Sequence, residues 1–198
     1  AVTATRVVEK ADFPSSFVVA GNGRVYWTEK NTGRIRFFEA GNGKTTFATI
    51  ANLCTAEEQG LLGIALAPGS SDVFVYATRL VNGACRAQVL RVAQGSTNPT
   101  VLFEEPGATL YHVGGHLALG PDGHLWLSIG DGQNPANSQD TSSPKGKILR
   151  MTTTGTAAAG NPIAGNRMFA YGVRNVFGFA FDAVNDNELW ATENGPAC

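Results

Sequence analysis

The sequence predicts an all-β protein, and more specifically a β-propeller made of four-stranded antiparallel blades. Two observations lead to this fold class. A unit made of an apolar strand, a short polar turn and a second strand with an aromatic residue recurs four times along the chain. No segment shows the periodicity of an amphipathic helix. A sheet with two apolar faces buries both between copies of itself, as propeller blades do, whereas the alternative, a β-sandwich, does not repeat in this way.

The elements of each unit follow in order from local residue patterns. The apolar first strands are residues 17–20, 62–66, 116–119 and 177–181. Turns rich in Gly, Pro, Asn, Asp or Ser, which favour tight turns, follow at residues 21–23, 68–70, 121–123 and 185–187. The second strands are residues 24–28, 72–76, 124–128 and 188–192. Third strands alternate apolar and basic or polar residues, as half-buried strands do, at residues 33–37, 88–92 and 147–151.

The number of units bears on the domain organisation. A propeller closes into a ring, and four blades is the smallest usual number. The fourth unit stops at Cys198 without a third strand. We therefore expect residues 1–198 to form a single β-propeller domain that is truncated at its C-terminus.

The composition argues against two classes of protein. Hydrophobic residues make up 43% of the 198 residues and charged residues 16%, which fits a folded domain with a sizeable core. The net charge is −1 and the chain has no basic run, so we expect no nucleic-acid partner. No apolar stretch approaches the roughly 20 residues that a membrane span needs, so we also expect no membrane span.

The cysteines and the N-terminus bear on the compartment. A disulfide between Cys54 and Cys85 would close a loop of about thirty residues and would leave Cys198 over. The chain begins Ala-Val-Thr-Ala without Met or a signal peptide, as an exported protein does after cleavage. We therefore expect a secreted or periplasmic protein.

Polar residues precede the first strands of three successive units. In a propeller, the loops that lead into the innermost strands surround the central axis, so these residues are expected to face one funnel. They are Glu58, His112, Arg174 and Asn175. An imidazole accepts a proton, and a guanidinium beside an amide binds planar, oxygen-rich groups. Their equivalent positions predict a shared site.

Each of these residues also has a structural interpretation. His112 is able to form hydrogen bonds within a Gly-rich loop, Arg174 to pair with Asp182 across a hairpin, and Glu58 to lie in solvent beside Glu57.

Two further features are interpreted structurally. The oxygen-rich loop 130–134, with Asn137 and Asp140 after it, has carboxylates that suit Ca²⁺, but it lacks EF-hand spacing and favours an Asx-rich connection. Three tryptophans recur at equivalent strand positions, which predicts packing between blades. They are Trp27, Trp126 and Trp190.

Five ordered motifs resemble the soluble glucose/sorbosone dehydrogenase family, the PQQ-dependent aldose sugar dehydrogenases. They begin Glu-Gln-Gly-Leu-Leu-Gly, His-Val-Gly-Gly-His, Gly-Lys-Ile-Leu-Arg, Tyr-Gly-Val-Arg-Asn and Glu-Asn-Gly-Pro, and they occupy residues 58–66, 112–117, 146–150, 171–175 and 193–196. The second motif continues to Gly-Pro-Asp-Gly at residues 120–123 and Ile-Gly-Asp at residues 129–131. The resemblance starts near Phe13 and covers almost the whole chain. It implies a six-bladed propeller, of which this chain would hold about four blades.

The resemblance also implies roles for individual residues. His112 would be the general base that removes the proton from the sugar C1 hydroxyl while hydride passes from C1 to C5 of PQQ. Arg174 and Asn175 would contact PQQ and polarise its quinone carbonyl. Glu58 stands near the cofactor, at a position where relatives carry Gln or Glu. The backbone carbonyls of the pair at residues 195–196, Gly195 and Pro196, would bind the Ca²⁺ that holds PQQ.

The chain departs from the family pattern in three respects. His116 stands where relatives usually carry Arg. Acidic residues that complete the calcium site in relatives would lie beyond Cys198. Further basic contacts to the cofactor belong to blades that this sequence does not include.

The leading hypothesis is PQQ-dependent oxidation of an aldose sugar at C1 to the lactone, with electrons passed to an external dye or cytochrome. The absence of a Gly-x-Gly-x-x-Gly fingerprint gives no support to a nicotinamide cofactor. One alternative is a binding module that resembles the propeller of hedgehog-interacting proteins. Another is a calcium-dependent lactonase propeller, in which Glu58 and Asn175 hold the metal. The joint presence of His112, Arg174 and Asn175 favours the dehydrogenase.

Overall fold

The structure is a computed structural model that describes residues 2–195, and it confirms the predicted all-β propeller. Four antiparallel sheets follow one another along the described chain, each with its strands in sequence order. The first blade consists of β1 (Pro14–Val19), β2 (Val25–Glu29), β3 (Arg34–Glu39) and β4 (Gly43–Thr49). The second consists of β5 (Leu61–Leu66), β6 (Val73–Val81), β7 (Ala84–Val92) and β8 (Thr100–Pro106).

The remaining two sheets differ in size. The third blade consists of β9 (Leu117–Leu119), β10 (Leu125–Ile129), β11 (Lys147–Met151) and β12 (Met168–Tyr171), with the short helix α1 (Ala136–Gln139) between β10 and β11. The described part of the fourth sheet is a hairpin of β13 (Val176–Asp182) and β14 (Glu188–Glu193). Within residues 2–195, the structure contains no helix long and apolar enough to cross a membrane.

The predicted first, second and third strands all form, with small shifts at their ends. The largest extensions are in β6, which continues to Val81, and in β7, which begins at Ala84, because residues 82–83 make a two-residue hairpin turn between them. Asn82 and Gly83 both have positive φ, at 50° and 79°, as a type I′ turn requires. The outermost strands β4, β8 and β12 were not located in the sequence. Their polar or short segments give no clear alternation, because they lie at the solvent side of each blade.

The core lies between successive sheets, and β6 shows how one strand serves two interfaces. Val73 and Val75 pack with residues of the first blade, whereas Phe74 and Tyr76 pack with residues of the third. Successive residues of a strand point to opposite faces, and a neighbouring blade covers each face of β6. All four side chains are therefore buried. Neighbouring blades therefore share a dry, interdigitated interface on each side of the second blade.

The tryptophans do not all behave as predicted. Trp27 and Trp126 are 3% and 5% exposed. Trp126 packs with residues of the fourth sheet, as predicted, whereas Trp27 is buried beside Arg36 of its own blade. Trp190 on β14 is 64% exposed, so the prediction that it packs between blades is wrong for the described part of the chain. The reason is that, within residues 2–195, no sheet stacks on the face that carries its indole.

A disulfide joins Cys54 to Cys85, with their Cα atoms 6.1 Å apart, which confirms the pairing that the spacing allowed. It ties the loop before β5 to the tip of the β6–β7 hairpin. Thr78 strengthens the same connection, since its carbonyl accepts a hydrogen bond from Cys54 N at 3.0 Å and its hydroxyl donates to Cys54 O at 2.9 Å. Cys198 lies outside the described residues.

Removing this disulfide should lower stability by an amount set by the loop it closes. The two cysteines are 31 residues apart, for which chain-entropy arguments give a contribution of about 3 to 4 kcal/mol. We expect the double variant Cys54→Ala/Cys85→Ala to unfold at lower denaturant, with a free energy of unfolding lower by about 3 kcal/mol. Equilibrium urea unfolding measures this, and an unchanged free energy would show that the bond constrains little.

Candidate active site

Three loops that precede inner strands meet around the carboxylate of Glu58. Its Oε2 atom accepts hydrogen bonds from His112 N at 2.7 Å, from Val113 N at 3.3 Å and from Asn175 Nδ2 at 3.1 Å. The loops of the second, third and fourth blades are thereby joined through one oxygen atom. The alternative that Glu58 is a solvated loop carboxylate is therefore wrong.

Asn175 completes this junction from the fourth blade. Its side chain is buried, with Nδ2 donating to Glu58 and Oδ1 accepting from Gly114 N at 3.0 Å. Both ends of the amide are thus used within the protein. This geometry is that of a hydrogen-bonded pair, rather than of two ligands that share one cation, as the lactonase alternative would require.

His112 occupies an unusual backbone position next to this junction. Its φ is 58°, in the left-handed region that only a few per cent of non-glycine residues adopt. Gly130 lies against the same loop, and a Cβ atom there would overlap the carbonyl oxygen of His112 and lie 2.9 Å from Asn175 Oδ1. Only glycine at position 130 allows this close approach. The backbone of His112 is therefore in close contact with the backbone of Gly130.

The imidazole of His112 is paired with a carboxylate that the sequence analysis did not identify as a site residue. Nδ1 lies 2.7 Å from Asp131 Oδ1, and the Asp131 side chain is 3% exposed whereas that of His112 is 15% exposed. An ionised carboxylate only accepts hydrogen bonds, so Nδ1 carries the proton and Nε2 is left as the acceptor. Asp131 therefore favours the tautomer in which Nε2 has a free lone pair.

The loop that carries Asp131 is also the Asx-rich connection that was predicted. Asp131 Oδ1 accepts from Gln133 N at 2.8 Å, and Asn137 Nδ2 donates to Asp131 O at 2.8 Å. Asp140 accepts from both the backbone and the hydroxyl of Ser142. The oxygen atoms of this loop thus accept hydrogen bonds from other residues of the same loop. The signal that would have identified Asp131 is its position, a carboxylate directly after a buried strand in the blade that follows the histidine loop.

Arg174 lies at the edge of the junction, half-buried. Its Nη1 donates to Asn194 O at 2.8 Å, while the backbone N–H groups of Arg174 and Asn175 donate to Glu193 Oε1 at 3.1 and 2.9 Å. Asp182, the alternative partner, instead caps its own turn by accepting from Val184 N and Asn185 Nδ2. The structure thus places the four predicted residues Glu58, His112, Arg174 and Asn175 in neighbouring loops.

A cleft of about 330 Å³ adjoins the junction, and Glu58, Gly114, Lys30 and His116 are among its lining residues. His116, the departure from the family pattern, lies edge-on to Phe179 with ring centroids 4.4 Å apart. Burial lowers the pKa of the His116 imidazole, although a hydrogen bond to the Phe179 backbone opposes this. The neutral ring is therefore favoured here, where relatives usually carry a charged side chain.

The predicted metal ligands lie at the end of the described chain. Gly195 is its last residue, and Pro196 lies outside the described residues. Within residues 2–195, no group of three or more His, Cys, Asp or Glu side chains is placed to hold a metal ion. The calcium site at Gly195 and Pro196 stays a prediction.

Substitutions at Glu58 and Asn175 test the hydrogen bond between these two side chains. Asn175→Asp removes the donor to Glu58 and sets two carboxylates against each other, so we expect the free energy of unfolding to fall by about 3 kcal/mol. Adding Glu58→Gln restores a donor and should recover most of this loss. Urea unfolding of the two single variants and the double variant gives the coupling energy. Additive effects would show that the two side chains do not interact.

The buried imidazole of His116 should make stability depend on pH. Because its pKa is lower in the folded protein than in the unfolded chain, the unfolded chain binds more protons as the pH falls through about 6.5. The contribution of His116 to stability is therefore present at pH 7.5 and lost on acidification. We expect His116→Gln to unfold with a smaller decrease in stability between pH 7.5 and 5.5 than the unaltered chain. His124→Gln, at a half-buried position beside Asp122, is the control. Equal pH dependence of stability in all three proteins would contradict this expectation.

Comparison with known proteins identifies the family of this chain. The family described as Glucose / Sorbosone dehydrogenase matches residues 11–198. An uncharacterised protein of Synechocystis sp. is 33% identical, covering 98% of this chain and 54% of that protein. The aldose sugar dehydrogenase YliI of Escherichia coli is 26% identical, covering 83% of this chain and 48% of that protein.

Solved structures show the same relationship. The PQQ-bound form of aldose sugar dehydrogenase from Streptomyces coelicolor superimposes with a TM-score of 0.85 at 31% identity, covering 96% of this chain and 59% of that one. The chain thus spans about half the length of the curated relatives it matches. With the fold, the ordered motifs and the family match all in agreement, this chain belongs to the glucose/sorbosone dehydrogenase family.

Proposed function

We propose that this chain is part of a PQQ-dependent dehydrogenase that oxidises an aldose sugar at C1 to the lactone, with His112 as the general base. The observation that carries the proposal is the 2.7 Å contact between His112 Nδ1 and the buried carboxylate of Asp131. It lies beside Glu58, Arg174 and Asn175 in a chain of this family. The family and its aldose-oxidising relatives support the substrate class.

The proton chemistry follows from the tautomer of His112. With Nδ1–H donated to Asp131, the lone pair of Nε2 is available to accept the proton of the sugar C1 hydroxyl. The imidazolium that forms is stabilised by the Asp131 carboxylate, which holds the ring and does not itself take the proton. The ring is 15% exposed, so it is not fully sealed from solvent.

The residues around the base suit a planar anionic cofactor. A guanidinium has five N–H donors, and among the described residues Arg174 uses one of them on the Asn194 carbonyl. Its other donors suit the quinone and carboxylate oxygens of PQQ, which when bound accepts the hydride from sugar C1. Asn175 uses Nδ2 on Glu58 and Oδ1 on Gly114 N, so its role, together with Glu58, is to hold the loops that surround the cofactor.

The calcium ion, the electron acceptor and the compartment complete the proposal. Backbone carbonyls at Gly195 and Pro196 are ligands of the type that Ca²⁺ accepts, and this assignment depends on the resemblance of the 193–196 motif. The acceptor would be an external dye or a cytochrome. The Cys54–Cys85 disulfide supports a secreted or periplasmic location, since such bonds persist in oxidising compartments.

The test is a titration with PQQ and Ca²⁺, followed by addition of an aldose. It is run on this chain and on a chain extended past Cys198 to the length of the relatives. We expect saturable binding, seen as a change in quinone absorbance, and reduction of the quinone when sugar is added. Failure of the extended chain to bind PQQ would exclude the cofactor and favour the binding-module alternative.

The base is tested in the same assay. We expect His112→Ala to lower turnover by about 10²-fold or more while PQQ still binds, which is the loss typical of removing a general base. His124→Ala serves as the control, because this histidine lies in the turn before β10, outside the proposed site. Turnover equal to that of the unaltered protein in His112→Ala would exclude the mechanism.

A further inference from the structure

The loop that positions Asp131 is long, and two lysines hold it. The loop runs from residue 130 to residue 146, between β10 and β11. Lys147, at the start of β11, is fully buried and donates from Nζ to the carbonyl oxygens of Asn137 at 2.7 Å, Ser138 at 3.1 Å and Lys145 at 2.7 Å. Lys147 therefore connects three backbone positions of the loop to one side chain of the third blade.

Lys145 connects the same loop to the neighbouring blade. Its Nζ donates to Gly107 O at 3.0 Å and lies 3.4 Å from Glu105 Oε1, both at the end of β8. The Glu105 side chain is 5% exposed and that of Lys145 is 18% exposed, so the pair is largely shielded from solvent. Burial raises the pKa of Glu105, and the nearby Lys145 and Arg86 oppose this effect. A buried carboxyl group is costly unless paired, which makes Lys145 the natural partner.

The stem of Lys145 packs on the residue next to Asp131. A Cβ atom built on Gly132 would lie 3.2 to 3.4 Å from Cδ, Nζ and Cε of Lys145, so the lysine covers this glycine closely. Gly132 N in turn donates to His112 O at 3.3 Å. Glu105, Lys145 and His112 also line one small cavity of about 10 Å³. The lysine–glutamate pair thus lies directly behind the His112–Asp131 contact.

We infer that Lys145 is a positioning residue for the general base. Its bonds to Glu105 and to the Gly107 carbonyl attach the Asp131 loop to the second blade, and thereby keep the Asp131 carboxylate within hydrogen-bond distance of His112 Nδ1. The assignment to catalysis rests on the proposed function of His112. The loop is also bound toward the fourth blade, where Asp131 N donates to Arg174 O at 2.7 Å, and Lys145 supplies its connection to the second blade. A shift of about 1 Å at a catalytic group is able to cost up to about 10²-fold in rate.

The test compares Lys145→Met, which keeps the length of the stem but removes the charge and the donors, with Lys145→Arg, which restores them. In histidine-labelled protein without cofactor, the Nδ1–H signal of His112, assigned with His112→Ala, reports the bond to Asp131. We expect this signal to be lost or broadened in Lys145→Met and retained in Lys145→Arg. In the PQQ-loaded extended chain, kcat should fall about 10-fold in Lys145→Met with the affinity for PQQ unchanged.

Lys44→Met is the matched control, because Lys44 also donates to backbone carbonyls, those of Glu9 and Lys10, at an exposed site. An intact Nδ1–H signal in Lys145→Met overturns the inference, even where the melting temperature falls, since the lysine would then have a structural role only. If Lys145→Met does not fold, Glu105→Gln replaces it, and an unchanged signal and kcat there overturn the inference equally. The signal is read without PQQ, so failure of the proposed function leaves this test valid.

Discussion

The convergence of three loops on the Glu58 carboxylate is the interaction on which the rest of the site depends. Packing between sheets is apolar and non-directional, so it brings the loops near one another without setting their register. Glu58 Oε2 accepts three N–H groups from two neighbouring blades, and hydrogen bonds to a charged group contribute about 1.5 to 3 kcal/mol each. The loops bearing His112 and Asn175 thereby acquire a defined mutual geometry that stacking of the sheets does not supply.

The sheets in turn determine why those loops meet at all. The inner strands β1, β5 and β9 contact one another in sequence around the axis, and the loops that precede β5 and β9 lie at the same end. Residues at equivalent positions in separate units therefore face a common space. The disulfide and Thr78 add a second restraint on the loop of Glu58, because they attach it to the hairpin of its own blade.

The chemistry of His112 arises from the third blade rather than from its own loop. Asp131 fixes the proton on Nδ1, and the Asp131 loop is held by Lys147 within its blade and by Lys145 across to the second blade. His112 and Asp131 lie in two loops of the third blade, so this contact is made within one blade. The second blade contributes the contacts of Lys145 that hold the Asp131 loop.

The sequence by itself determined the blade repeat, the first three strands of each of the first three units, and the candidates Glu58, His112, Arg174 and Asn175. These follow from period-two alternation and turn chemistry, which are local properties. Only the tertiary structure decided that Asp131 contacts His112 and that Lys145 pairs with Glu105. The physical reason is separation along the chain: the contact between Glu58 and Asn175 joins residues 117 positions apart, and no local pattern specifies such a partner. The outer strands β4 and β8 were not predicted from the sequence, because they border solvent and so alternate less clearly between apolar and polar residues.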